Sequence, residues 1–142
     1  MPASGRTTAL LVDMSVAVAL LLTDHDHHEQ TFRTLRGRPL GLAGHAAFET
    51  FSVLTRLPPP ARKTPATVAR LLANRFPETR FLGPAASASL LTALETAGIA
   101  GGSVYDALVG SAAKEHGLPL ATRDRRALDV YRALAVDVEL LA

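Results

Sequence analysis

Short apolar runs in this chain alternate with longer amphipathic stretches, the arrangement expected when buried strands alternate with helices. Residues 9–12 are continuously apolar and read, with Thr8, as a strand covered on both faces, and Asp13 then opens a helix to about position 22. A second helix is expected over 26–35, with Phe32 and Leu35 on one side, and ends near Gly37. Residues 39–43 form a second strand, Gly44 a hinge, and 46–57 a helix that Pro58, Pro59 and Pro60 must end, because proline lacks the amide that a helix needs. Pro65 holds the favoured first-turn position of the next helix, whose stripe is Val68, Leu71 and Leu72 and whose end is Pro77. A third strand over 80–82, a helix over 85–97 and the glycines at 98, 101 and 102 follow. Ser103 caps a helix to about 116, and a fourth strand at 118–121, a helix at 125–133 and a last strand at 136–140 complete the pattern. The expected architecture is an α/β/α sandwich with a mainly parallel, about five-stranded sheet, in one domain over 8–142 behind a loose tail at 1–7.

Composition narrows the possibilities. A chain of 142 residues with 48% hydrophobic and 20% charged residues is long and apolar enough for a core without staples. It has no cysteine, which removes disulfides, zinc thiolates and thiol nucleophiles and is compatible with a reducing cytosol, so a cytoplasmic location is expected. The run at 9–22 is too short to span a bilayer and carries Asp13 near its middle, while the polar Asp24, His25, Asp26, His27 and His28 replace a signal cleavage site. No membrane association is expected. Net charge is only +2, yet all basic residues but Lys63 and Lys114 are arginines, whose planar fork suits phosphate.

Candidate chemistry lies in four carboxylates, Asp13, Glu49, Asp106 and Asp124, each in or just after an apolar stretch. Burying a charge without a partner costs several kcal/mol, so a fold that gathers them needs a positive centre, and a hard divalent cation is the natural one. Each acid also has a plainer explanation. Asp13 and Asp124 follow strands and precede helices, so both are N-caps by position; equally, ligands bind an open parallel sheet at such strand ends. Asp106 completes a Ser103-Val-Tyr-Asp106 capping box, but it shares a stripe with Gly110 and Ala113, and a glycine inside a helix suggests a close neighbour; Tyr105, Leu108, Val109 and Ala112 are the expected packing face. Glu49 shares a helix face with His45, Ser52 and Arg56 and reads by default as solvated, although Phe48 and Phe51 flank it. The run His25, Asp26, His27, His28, Glu29 imitates a metal site but falls in an exposed turn, and the arginines at 62, 70, 75 and 80 read as surface charge.

The segments Leu-Leu-Val-Asp13-Met-Ser15, Phe48-Glu49-Thr50, Val104-Tyr105-Asp106-Ala107-Leu108 and Ala121-Thr122-Arg123-Asp124-Arg125-Arg126, with the tail from Tyr131, together resemble the PIN-domain nucleases, and more narrowly the VapC-type toxins of toxin–antitoxin pairs. The resemblance implies a five-stranded parallel sheet, Mg2+- or Mn2+-dependent endonuclease action on RNA, dimerisation, and inhibition by a cognate antitoxin. It matches Asp13, Asp106 and Asp124 to the family's metal-associated acids, Glu49 to its helical glutamate, and Thr122 to its small hydroxyl residue near the pocket, where it is expected to bind substrate. Some members carry a further acid close behind the last; here Arg125 and Arg126 follow, and Asp129 is the next carboxylate.

The mechanism expected from these residues has Asp13, Asp106 and Asp124 holding the ion directly or through water, Glu49 orienting or deprotonating the attacking water, and Arg123 and Arg125 touching substrate phosphates at the rim. Two other readings compete. In a non-catalytic PIN-like module binding RNA or protein, the acids would only cap helices. An aspartyl-phosphate enzyme would use Asp13, but no second aspartate adjoins it and neither lysine ends a strand.

Overall fold

A computed structural model describes residues 8–142. The tail expected at 1–7 lies outside the described residues. The element order is β1 (Leu10–Val12), α1 (Met14–Leu21), α2 (His28–Leu35), β2 (Leu40–Leu42), α3 (Ala46–Thr55), α4 (Pro65–Arg75), α5 (Pro84–Ala97), α6 (Ser103–Glu115), β3 (Leu120–Thr122), a 3-10 turn (Arg125–Ala127), α7 (Leu128–Ala133) and β4 (Val138–Leu140). The strands form one sheet in the order β2-β1-β3-β4, every neighbouring pair parallel. From β1 the chain winds outward to β2, and from β3 it winds outward the other way to β4. The crevice where the order reverses therefore opens at the carboxyl ends of β1 and β3, which are followed by Asp13 and Asp124.

Helices cover both sheet faces, which is why β1 is apolar at every position. Leu10 and Val12 join a core with Val16, Leu20, Leu35, Leu42 and Phe76, whereas Leu11 points the other way to Ala46, Val109, Ala113, Leu120 and Tyr131. Among the described residues no helix is long and apolar enough to cross a membrane.

The expected third strand at 80–82 is reduced to a single parallel bridge, Ala43 to Arg80. The segment does run beside β2, with Glu78 N donating to Leu40 O and Arg80 N to Leu42 O. Between them the ladder is broken: Leu42 N donates to the Thr79 side-chain Oγ1 at 3.0 Å, and the Glu78 carbonyl accepts instead from Arg80 Nη1 at 2.7 Å. Gly41 permits this approach, since a Cβ there would run into the backbone of Glu78.

Two local expectations change. Ser103 is the first helical residue of α6 and Gly102 the cap, with no side-chain capping bond, so Asp106 belongs to no capping box. On α6, Val109 and Ala112 are buried as expected, but Ala107, Gly110 and Ala113 are buried with them and Tyr105 is exposed, so the stripe of small residues also faces inward. Small side chains let this helix lie close to its neighbours; the bulky Tyr105 instead stacks on His45 at a ring separation of 5.1 Å. Large exposed apolar residues gather there as Phe48, Phe81 and Tyr105, and Phe32 is exposed on α2.

Candidate active site

Asp13 is buried at 5% exposure and caps α1. Its Oδ1 accepts from Ser15 Oγ at 2.6 Å and from Val16 N at 3.4 Å, and its Oδ2 accepts from the Tyr131 hydroxyl at 2.9 Å. Burial pushes the Asp13 carboxyl above the usual aspartate range, against the opposing pull of the Ser15, Thr122 and Tyr131 hydroxyls and the Val16 amide. Asp124 caps the 3-10 turn, with Oδ1 accepting from Arg126 N at 2.9 Å and from Arg126 Nε at 3.3 Å. Both capping explanations are therefore correct, and neither excludes a second role.

The acids converge electrostatically. Glu49 on α3 is half-buried, and its carboxyl is pushed up to about 7 by burial first and then by the charges of Asp106 and Asp13. Asp106 on α6 is raised by burial, then by Asp124 and Asp13, with Arg126 opposing. Asp13 thus acts through space on Asp106, 93 residues away along the chain. The solvated-glutamate default for Glu49 gives way to an open cleft of about 460 Å³, lined with Met14, His45, Phe48, Ser52, Val53, Arg56 and Tyr105.

Carboxylate oxygens with this much mutual repulsion fit a hard dication in charge and in donor type. They do not form a finished cage: among the described residues no group of three His, Cys, Asp or Glu side chains is arranged as a metal site. Magnesium tolerates that, since it keeps several waters and takes one or two protein carboxylates together with substrate phosphates. The histidine run makes only local bonds, His27 N to His25 Nδ1 at 3.0 Å and His28 Nδ1 to the Ala19 carbonyl at 2.9 Å, as the exposed-turn reading expects.

The expected substrate contacts divide. Thr122 is fully buried; its Oγ1 accepts from Asp124 N at 3.0 Å and lies 3.4 Å from Ser15 Oγ, so it braces the loop from inside. Arg123 donates from Nη1 to Thr31 Oγ1 at 3.2 Å and from its amide to Ser15 Oγ at 2.8 Å, tying this loop to α1 and α2. Arg125 is exposed. Three contributors were given no role from sequence: Ser15, which bridges Asp13 to Arg123, Arg126, which steadies Asp124, and Tyr131. Only Ser15 carried a signal, a hydroxyl two residues after an N-cap aspartate.

A family model described as "PIN domain" matches residues 10–133 of this chain. The chain belongs to the PIN-domain family. Curated relatives agree: Ribonuclease VapC27 of Mycobacterium tuberculosis (strain ATCC 25618 / H37Rv) is 45% identical over 133 residues, covering 94% of this chain and 97% of that protein. Ribonuclease VapC40 of M. tuberculosis (strain CDC 1551 / Oshkosh) is 46% identical over 130 residues, covering 91% and 96%. In fold, this PIN domain is similar to a chain in the crystal structure of VapBC2 from Rickettsia felis bound to a DNA fragment from their promoter, at a TM-score of 0.68, 15% identity, and coverage of 95% and 100%. It is a VapC-type PIN domain.

The raised carboxyls of this PIN domain make its metal-free stability pH-dependent. A folded-state value near 7 against the ordinary 4.5 means that the folded Glu49 binds more protons between those limits. That contribution is complete below the lower value and is lost as pH rises through the upper one. In EDTA, the melting temperature should fall between pH 5 and pH 7.5, and Glu49→Gln should flatten the fall. An equally steep fall in the variant, measured by thermal denaturation, would remove Glu49 from the repulsive set.

Proposed function

We propose that this chain is the toxin of a toxin–antitoxin pair, an endoribonuclease that hydrolyses RNA phosphodiester bonds at the Asp13, Glu49, Asp106 and Asp124 crevice with Mg2+ or Mn2+. The upward push that the charge of Asp13, at the switch point of the sheet, exerts on both Glu49 and Asp106 carries this reading, in a chain 45% identical to a protein named as a ribonuclease. Asp13, Asp106 and Asp124 are the residues that would hold the ion, which when bound acidifies its water and neutralises phosphate oxygens.

The remaining chemistry belongs to the chain. Glu49, whose carboxyl titrates near neutrality, orients the attacking water and takes its proton, as a general base working near neutral pH should. Arg125 meets substrate phosphate, while Arg126 and Thr122 hold Asp124 in position. Arg123 fastens the loop to α2 and leaves only its remaining guanidinium nitrogens for phosphate. Asp129 is exposed and lines a separate hollow with Ala97, Ile99 and Ser103. The proposal includes a cytoplasmic location, a homodimer and a cognate antitoxin as the inhibiting partner.

Sequencing of RNA ends after induced expression tests it: new internal ends should appear at defined sites and disappear when the antitoxin is co-expressed. Unchanged RNA ends would overturn it. The capping bonds of Asp13 and Asp124 favour the alternative, a PIN-like module that binds RNA or protein without cutting. RNA binding in EDTA, with no cleavage on adding metal, would select that alternative.

A further inference from the structure

Tyr131 lies on α7, 118 residues from Asp13, and is 1% exposed. Its ring occupies the space left by a missing side chain: a Cβ at Gly110 would stand 3.0 Å from Tyr131 Cδ1 and 3.0 Å from Val136 Cγ2. The glycine that weakens α6 thus makes room for an aromatic ring to pass beneath the helix carrying Asp106. At the far end of that ring the hydroxyl donates to Asp13 Oδ2 at 2.9 Å. A buried tyrosine hydroxyl needs a partner, and here the partner is the central acid of the crevice.

This bond fixes the second oxygen of the carboxylate. A carboxylate offers about four acceptor positions, two on each oxygen. Ser15 Oγ and Val16 N take both on Oδ1, and Tyr131 takes one on Oδ2. The Thr122 hydroxyl also pulls on this carboxyl. Ser15 and Val16 come from the helix that Asp13 caps, so they hold one oxygen only; the opposite oxygen is fixed from across the fold.

We propose that Tyr131, seated by Gly110, is a positioning residue that fixes the Asp13 carboxylate from across the fold so that it can hold a divalent cation. The proposal rests on the nuclease reading above. It assigns Tyr131 no contact with substrate and no proton transfer; it acts through Asp13. It also explains why a residue outside the acidic set is built into the core with its polar end toward that set.

The test is Mn2+ binding to the metal-free protein by titration calorimetry. Tyr131→Phe should weaken binding roughly 10- to 100-fold, the usual loss when a partner that orients a metal ligand is removed. RNA cleavage by this variant should need correspondingly more Mn2+ and approach the wild-type rate once the metal saturates. Val136→Ala damages the same packing but keeps the hydroxyl, so it should lower the melting temperature and leave Mn2+ affinity unchanged. In an Asp13→Asn background, Tyr131→Phe should have no further effect on affinity. Should Tyr131→Phe fail to fold, Gly110→Ala, which displaces the ring and keeps the hydroxyl, carries the same expectation of at least about tenfold weaker binding. Wild-type affinity in Tyr131→Phe, or in Gly110→Ala in that case, overturns the proposal, as does an equal loss in Val136→Ala. A wild-type protein that binds no Mn2+, or binds it as well after Asp13→Asn, overturns the nuclease reading instead.

Discussion

Asp13→Asn is expected to lower RNA cleavage by about a thousandfold while leaving the fold intact. The loss corresponds to about 4 kcal/mol of transition-state stabilisation, within what removal of an anionic metal ligand should cost. The fold should survive because asparagine is itself a favoured N-cap. Its oxygen can keep the bonds from Ser15 and Val16, and the Tyr131 hydroxyl, which accepts as well as donates, can turn to receive its amide. The substitution also removes a buried negative charge from beside two other acids, Glu49 and Asp106. In EDTA at pH 8 the variant should therefore melt at or above the wild-type temperature. Undiminished cleavage in a gel assay would take Asp13 out of the reaction, whereas loss of cleavage together with unfolding would leave only a structural role.

Chelation should have a comparable effect on the native protein. EDTA is expected to reduce RNA cleavage to background, and excess Mg2+ or Mn2+ to restore it. Metal must also displace protons from raised carboxyls, so its affinity should increase from pH 5.5 to pH 7.5, as Glu49 ionises. A cation at one hundred times its dissociation constant stabilises the fold by about 2.7 kcal/mol, a clear rise in melting temperature. That rise should be larger at the higher pH, opposite in sign to the metal-free trend. Cleavage that persists in EDTA after dialysis would contradict a metal-dependent mechanism, and a rise in melting temperature independent of pH would separate the ion from Glu49.

The order of helices and strands was readable along the chain because each depends on local rules. Continuous apolar residues in β1 announce a doubly covered strand, and proline at 65 and 77 marks the ends of α4. The strand at 80–82 was misjudged because its pairing is decided by the Thr79 and Arg80 side chains, which take over bonds a ladder would use. The packing face of α6 was legible in part, through Val109 and Ala112; that Gly110 and Ala113 join it depends on the neighbouring ring of Tyr131, which periodicity cannot show.

Sequence alone determined the four acids as candidates, the capping roles of Asp13 and Asp124, and a parallel sheet whose strand ends would present them. Those conclusions follow from spacing, polarity and backbone chemistry, which act within a few residues. The tertiary structure decided that Asp13, Glu49 and Asp106 repel one another, that Thr122 and Arg123 brace the loop, and that Tyr131 reaches Asp13 from across the fold. Repulsion and hydrogen bonding depend on separations in space, and for residues a hundred positions apart these are set only when the sheet assembles and the helices close over it.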